Sequence, residues 1–365
     1  MICMKGLIGF PESWQALRMI HVTRLSIELT NHCNLRCRHC ADERHGCEGD
    51  LKMETMEKVL CNAGAYGFEH LSFTGGEPTM HPSFFRILDM ITGAGYKFSF
   101  VSNGFNFTEI YERLLPYRDK LGGITFSLDG ADEETHDRLR GKGSYRRVMQ
   151  AISVCLVKDI PFNFNSVIVS FNREGLADMA ELAAKLGSCG LRFGHLTPTP
   201  SSIKNDLVLS PAERREAEAV ILRMRETSPV TVFMAPGNYT SFLFPCAPLE
   251  MQEFNIDWRG NVTMCCLLSG HGDASAKGDV IGSLNDITFS EAFEMLAEAN
   301  MKFRREKEAM YSRDRFKDSD HFPCWYCLNY FGKVDWLRDF HEDPWHDTVW
   351  TDQIKRRENT NAGTQ

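Results

Sequence analysis

Three cysteines separated by three and then two residues, in Cys33-Asn34-Leu35-Arg36-Cys37-Arg38-His39-Cys40, follow directly on a run of strand-forming residues, Leu25–Thr30. Thiolates at this density suit soft iron or zinc. Three protein ligands leave one metal position open for a substrate or cofactor, whereas His39 as a fourth ligand would close a structural zinc knuckle. A second group lies far downstream: Cys246, Cys265, Cys266 and the C-x2-C pair Cys324 and Cys327, which encloses Trp325 and Tyr326. Four thiolates complete a closed cluster, and a structural zinc is the competing reading there. The other five of the thirteen cysteines, Cys3, Cys47, Cys61, Cys155 and Cys189, are scattered, and Cys61 and Cys155 fit helical patterns as small apolar residues.

The elements that must carry these groups are legible as alternating strands and helices. Six strand candidates, Leu25–Thr30, His70–Thr74, Phe98–Ser102, Gly123–Leu128, Phe162–Ser170 and Leu191–Leu196, are separated by segments with helical apolar spacing such as Met53, Met56, Val59, Leu60 and Ala63. Strands alternating with helices imply a parallel sheet with functional loops at the strands' carboxyl ends. Six such units make an α/β fold of the partial (β/α)6 TIM-type barrel kind. The rhythm fails after Leu196: Thr197–Ser202 reads as a loop, Pro211–Glu226 as a charged helix with proline in its first turn, and 245–335 as a loop-rich, cysteine-bearing part with one long helix capped at Thr288 and Glu291. The expected division is an N-terminal segment 1–22, the barrel 23–200, a bridge 201–244, a cluster-bearing extension 245–335 and a C-terminal tail 336–365.

The 365 residues carry 43% hydrophobic and 25% charged side chains, which is globular usage and excludes disordered, collagenous and coiled-coil classes. A net charge of −8 argues against a nucleic-acid coat or a polybasic membrane binder. An odd cysteine count at short spacings points to a reducing compartment. Pro11, Glu12 and Ser13 interrupt the apolar run Met1–Phe10 before a signal sequence or membrane span could form. A cytoplasmic protein with neither a nucleic-acid nor a membrane partner is therefore expected.

The C-x3-C-x2-C loop resembles the signature of the radical S-adenosylmethionine (SAM) enzymes, in which three cysteines hold a [4Fe–4S] cluster and SAM binds the open iron. The resemblance continues through Thr74-Gly75-Gly76-Glu77-Pro78 at the second strand's end, Val101-Ser102-Asn103-Gly104 after the third, Ser127-Leu128-Asp129-Gly130 after the fourth, and His136–Tyr145. It implies Cys33, Cys37 and Cys40 as iron ligands. It also implies Gly75, Gly76, Glu77, Pro78, Ser102, Asn103, Ser127, Asp129 and Arg140 as SAM contacts, with Asn172 a weaker match. The glycine pair would let backbone approach the ligand, Glu77 would accept from its ammonium group, and Arg140 would fork onto its carboxylate.

The C-terminal part resembles the SPASM extension or its shortened twitch form, through Gly260-Asn261-Val262-Thr263-Met264-Cys265 and Ile281-Gly282-Ser283-Leu284-Asn285. It departs from full SPASM because no cysteine follows Cys327, so Cys246, Cys265, Cys324 and Cys327 suffice for one auxiliary [4Fe–4S] cluster, with Cys266 the alternative ligand beside Cys265. These likenesses imply a radical SAM oxidoreductase or maturase. It would cleave SAM reductively with an electron donor such as flavodoxin or ferredoxin, and the 5′-deoxyadenosyl radical would abstract a hydrogen from the substrate. A peptide substrate to be crosslinked, epimerised or oxidised is the first expectation and a small molecule such as an aminocyclitol or sugar the second. An iron–sulfur electron carrier or zinc scaffold is the reading from another class. Arg192, His195 and Cys266 are the candidates for handling a substrate intermediate, each with a structural role as the competing reading.

Overall fold

A computed structural model describes residues 24–40, 48–269 and 278–351. The N-terminal segment, Cys3, Cys47 and the polar end Lys355–Gln365 lie outside the described residues. The chain forms one sheet of strands β1 (Arg24–Thr30), β2 (His70–Gly75), β3 (Lys97–Ser102), β4 (Leu121–Ser127), β5 (Phe162–Ile168), β6 (Leu191–His195), β7 (Val232–Met234), β8 (Glu253–Ile256), β9 (Asn261–Thr263) and β10 (Val280–Ser283), in the order β10-β9-β8-β1-β2-β3-β4-β5-β6-β7. Strands β1 to β7 pair in parallel, and the helices between them are α1 (Met53–Ala63), α2 (Phe84–Gly93), α3 (Phe107–Leu114), α4 (Glu133–Arg140), α5 (Ser144–Lys158), α6 (Leu176–Lys185), α7 (Pro200–Lys204) and α8 (Pro211–Thr227). This is the partial barrel that the sequence rhythm implies.

Alternation builds the two faces. Leu25, Ile27 and Leu29 on β1 stand in register with Leu71 and Phe73 on β2, which in turn face Phe98 and Phe100 on β3, all essentially inaccessible. This apolar layer meets the helices through Ile87, Leu88 and Ile91 of α2 and Val148, Ala151 and Ile152 of α5. The intervening positions are polar: Ser26, Glu28 and Thr30 on β1, Ser72 and Thr74 on β2, Asn163 and Asn165 on β5, Arg192 on β6. A sheet face lined this way stays inside the curve of the barrel, where water and ligands can be held.

The sheet does not stop at the expected end of the barrel. Strand β8 joins parallel to β1, with Leu25 opposite Phe254 and Ile27 opposite Ile256, and β9 and β10 continue antiparallel from it. The cysteine-bearing part is thus an outgrowth of the barrel's own first strand. Its helices are α9 (Cys266–Ser269), α10 (Phe289–Ser312) and α11 (Pro323–Tyr330). Helix α10 begins in the expected capping box: the Thr288 hydroxyl accepts from the Glu291 amide, and the Glu291 carboxylate accepts from the Thr288 amide. Residues after 335, expected as a tail, are packed as far as Trp350. Trp345 and Trp350 are fully buried, and their indole N–H groups donate to the Leu209 carbonyl at 2.7 Å and the Asp320 carboxylate at 3.0 Å. Two tryptophans cannot be left in water when a pocket with acceptors is available.

Phe73 lies at the centre of the helix-facing layer, fully buried and 6.4 Å ring to ring from Phe98. Phe73→Ala is expected to cost about 3–5 kcal/mol, read as a lowered denaturation midpoint with the spectrum of the remaining folded protein unchanged.

Candidate functional site

The cysteine loop leaves β1 and is braced by the turn that leaves β2. The Gly76 amide donates to the Thr30 carbonyl and the Glu77 amide to the His32 carbonyl, both at 2.8 Å, so the two exits run on as a short ladder beyond the strands. That spacing leaves no room for side chains. A Cβ on Gly75 would sit 2.2 Å from the Thr30 carbonyl oxygen and one on Gly76 2.2 Å from that of His32, and Gly75 has φ +131°. The glycine pair is needed for the approach of one backbone to another, the cysteine loop, where the sequence suggested approach to a ligand.

Glu77 is buried and saturated. It accepts from the Asn103 amide at 2.7 Å, the Ser102 hydroxyl at 3.0 Å and the Thr79 hydroxyl at 2.7 Å. Burial raises its pKa above the ordinary carboxylate value, with these donors working the other way. It therefore ties the end of β2 to the end of β3. Asn103 passes the tie on: its amide nitrogen donates to Asn34 Oδ1 at 2.7 Å and lies 3.8 Å from Cys33 Sγ.

A second tie comes from β4. Asp129 is fully buried, pairs with Arg140 Nε at the end of α4, and accepts from the Val167 amide of β5 at 2.7 Å. Asn172 supports the same turn by donating to the Asp129 and Val167 carbonyls. Burial, the largest influence, would by itself raise the Asp129 pKa, but Arg140, His39, His136 and the Val167 amide together hold the carboxyl below its usual value. Arg140 Nη1 reaches within 4.0 Å of Cys37 Sγ, and the Arg38 amide donates to the Leu139 carbonyl at 2.9 Å, so α4 also holds the cysteine loop.

These ties surround one cavity of about 240 Å³ at the carboxyl ends of β1 to β5, lined by Cys33, Cys37 and Cys40 together with Gly75, Gly76, Ser102, Asn103, Ser127 and Arg140. Glu77, Pro78 and Asp129 stand behind that wall. Sequence reasoning passed over Asn34, whose side chain locks Asn103, and Asn165 and Val167, which line the cavity from β5; the signals were the place of Asn34 inside the cysteine loop and the alternation of β5, which puts Asn165 and Val167 on one face. Burial pushes the Cys33 thiol up, and the Cys37 thiol up to about 11 although Arg140 opposes it. Burial also brings His39 down to about 4, so its ring is neutral at pH 7. Thiols held protonated this way surrender their protons to a metal. Among the described residues no three His, Cys, Asp or Glu side chains close on a point that one ion would fill; the three thiols line a shared cavity instead.

Cys246, Cys265, Cys266, Cys324 and Cys327 are also brought together. The Cys265 thiol touches that of Cys266, and both are within electrostatic reach of Cys246 and Cys324. Cys324 and Cys327 lie one turn apart on α11, where burial pushes Cys324 up to about 12 and Cys327 higher still. The Leu267 amide donates to Cys265 Sγ at 3.4 Å, and Gly237, with φ +132°, leaves space beside Cys324 where a Cβ would come within 2.9 Å of the sulfur. The Cys246 loop is strapped to α10: Asn300, Arg304 and Lys307 donate to the carbonyls of Pro248, Leu249 and Leu243 at 2.8, 2.9 and 2.7 Å.

His195 and Arg192 stand apart from the cavity lining. His195 Nε2 meets Glu218 Oε1 of α8 at 2.8 Å, and burial lowers its pKa to about 4. Arg192 is exposed on the polar face of β6, within electrostatic reach of Glu253 on β8.

Residues 27–186 match the model of the Radical SAM superfamily. Over those residues the chain carries a radical SAM domain. It is similar to the AdoMet-dependent heme synthase of Methanosarcina barkeri, 34% identical over 193 residues that cover 51% of this chain and 54% of that protein. It is also similar to the mycofactocin maturase MftC of Mycobacterium ulcerans, 29% identical over 48% of this chain and 47% of that one. The chain spans about half the length of these curated relatives. Among solved structures, SuiB of Streptococcus suis bound to precursor peptide SuiA shares the fold with a TM-score of 0.58 over 71% of this chain and 63% of that one, at 14% identity.

A radical SAM domain implies a [4Fe–4S] cluster and SAM, and the donor set fits: three soft thiols and an arginine on one cavity. Gly76→Ala adds one methyl and removes no cysteine, yet it pushes on the His32 carbonyl one residue before Cys33. The variant is expected to lose most of the iron bound through Cys33, Cys37 and Cys40 while the iron at the second group stays, measured by iron analysis after anaerobic reconstitution.

Proposed function

We propose that this chain is a radical SAM enzyme acting on a peptide, with one [4Fe–4S] cluster on Cys33, Cys37 and Cys40 and a single auxiliary cluster, of the twitch kind, on Cys246, Cys265, Cys324 and Cys327. The observation that carries the reading is the convergence of three thiols and Arg140 on one cavity at the strands' carboxyl ends, inside a superfamily domain. When bound, cluster and SAM supply the radical chemistry: one electron splits the sulfonium into methionine and a 5′-deoxyadenosyl radical, which takes a hydrogen atom from the substrate. The chain's own part is positional. Asp129 holds Arg140 for a carboxylate, Glu77 and Asn103 fix the cysteine loop, and the polar inner face of β1 and β5 is left for the substrate. A flavodoxin or ferredoxin is the proposed electron donor and the cytoplasm the proposed location; no helix among the described residues is long and apolar enough to cross a membrane.

The peptide class is supported by relatives named as a maturase and by the structural likeness to a protein seen with its precursor peptide. A small-molecule reading is favoured by one observation, the 34% identity to a protein named as a heme synthase. Incubating the reduced protein and SAM with candidate peptides separates the two: a peptide that loses two hydrogens, or takes up deuterium without a mass change in water, supports the first class.

Reconstituted protein is expected to hold about eight iron per chain and, once reduced with dithionite, to release 5′-deoxyadenosine from SAM. Changing Cys33, Cys37 and Cys40 together to alanine should abolish that release and leave about four iron. Zinc at the second group would refute the auxiliary cluster, and no release from fully loaded protein would favour an electron carrier.

A further inference from the structure

Lys307 sits where the helical spacing of α10 puts core residues, between Phe303 and Met310, and only 1% of it is exposed. Its ammonium has three hydrogens to place, and the structure gives it one hydrogen bond, to the Leu243 carbonyl at 2.7 Å, and the face of Tyr326 at 4.6 Å. Among the described residues no carboxylate pairs with it at ion-pair distance. Asp320, a carboxylate that acts on its charge, has its oxygens taken by the Lys317 amide at 2.9 Å and the Trp350 indole at 3.0 Å. A buried ammonium with no anion is costly. What surrounds Lys307 is the cysteine group: Leu243 leads to Cys246, Tyr326 precedes Cys327, and Cys246, Cys324 and Cys327 all act on its charge. Arg214 flanks the same group beside Cys324, stacked near Phe322 and Trp345 at 5.3 and 5.0 Å.

We infer that Lys307 is the counter-charge of an iron–sulfur cluster on this cysteine group, a positioning residue that holds the cluster's reduction potential up. The inference rests on the auxiliary-cluster reading above. Four thiolates around a [4Fe–4S] core carry a net double negative charge, and one-electron reduction adds a third. A fixed cation nearby favours the reduced form more than the oxidised one, and the low dielectric of the interior keeps that preference from being screened.

The test uses the full chain with Cys33, Cys37 and Cys40 changed to alanine, so that the only cluster signal comes from the second group. Iron is counted first; a protein with no cluster overturns the auxiliary reading and this inference with it, before any potential is read. In the loaded protein, an EPR-monitored redox titration is expected to show Lys307→Met shifted to more negative potential and Lys307→Arg close to the parent. Loss of the cluster in Lys307→Met with retention in Lys307→Arg would support the same requirement for charge. An unchanged potential in Lys307→Met, or equal loss of the cluster in both variants, would overturn the inference and leave Lys307 a packing residue.

Discussion

The closeness of two stretches of backbone, the exits of β1 and β2, is the constraint on which the rest of the site depends. Two hydrogen bonds of 2.8 Å, from Gly76 to Thr30 and from Glu77 to His32, can form only because Gly75 and Gly76 lack side chains. From there the ties pass around the arc of the barrel. Glu77 reaches β3 through Ser102 and Asn103, Asn103 returns to Asn34 beside Cys33, and Asp129 joins β4 to α4 and β5. Glu77 and Asp129 are both engaged by donors from neighbouring strands, turns and α4, so the three thiols are held by a connected set of polar contacts. Such sets are stable when complete and costly when one member is removed.

Strand β1 serves both cysteine groups. One of its edges carries β2 and the braced loop; the other carries β8, whose hairpin partner β9 leads into Cys265 and α9. Ser269 at the end of α9 donates to Glu28 on β1 at 2.8 Å, which joins the second group to the barrel's polar face. Farther out, Lys333 and Asp279 form a fully buried ion pair at 2.8 Å between the end of α11 and the start of β10. The two cysteine groups are therefore joined through packed strands and buried polar contacts.

The six barrel strands were legible in the sequence because alternation of large apolar and polar residues over five to seven positions has one structural meaning. Strands β7 to β10 were not, because three or four residues carry no period. The cysteine loop and its neighbours stood out by spacing, but which side each residue faces depends on the fold: Ser102, Asn103, Ser127 and Arg140 line the cavity, whereas Glu77, Pro78 and Asp129 lie behind it. The glycine pair was visible as a special turn, and only the structure says what it makes room for. Trp345 and Trp350, expected in a tail, are core residues. Lys307 left a signal that went unread, a lysine in the apolar stripe of an otherwise regular helix.

On the function proposed above, the chain would build two unlike sites, one with an open coordination position next to Arg140 and one closed by protein thiols. EPR spectra of the reduced, reconstituted protein with and without SAM test it most directly. The account predicts two cluster signals, of which SAM alters one and leaves the other as it was. Signals that both change, or that both stay the same, would contradict it.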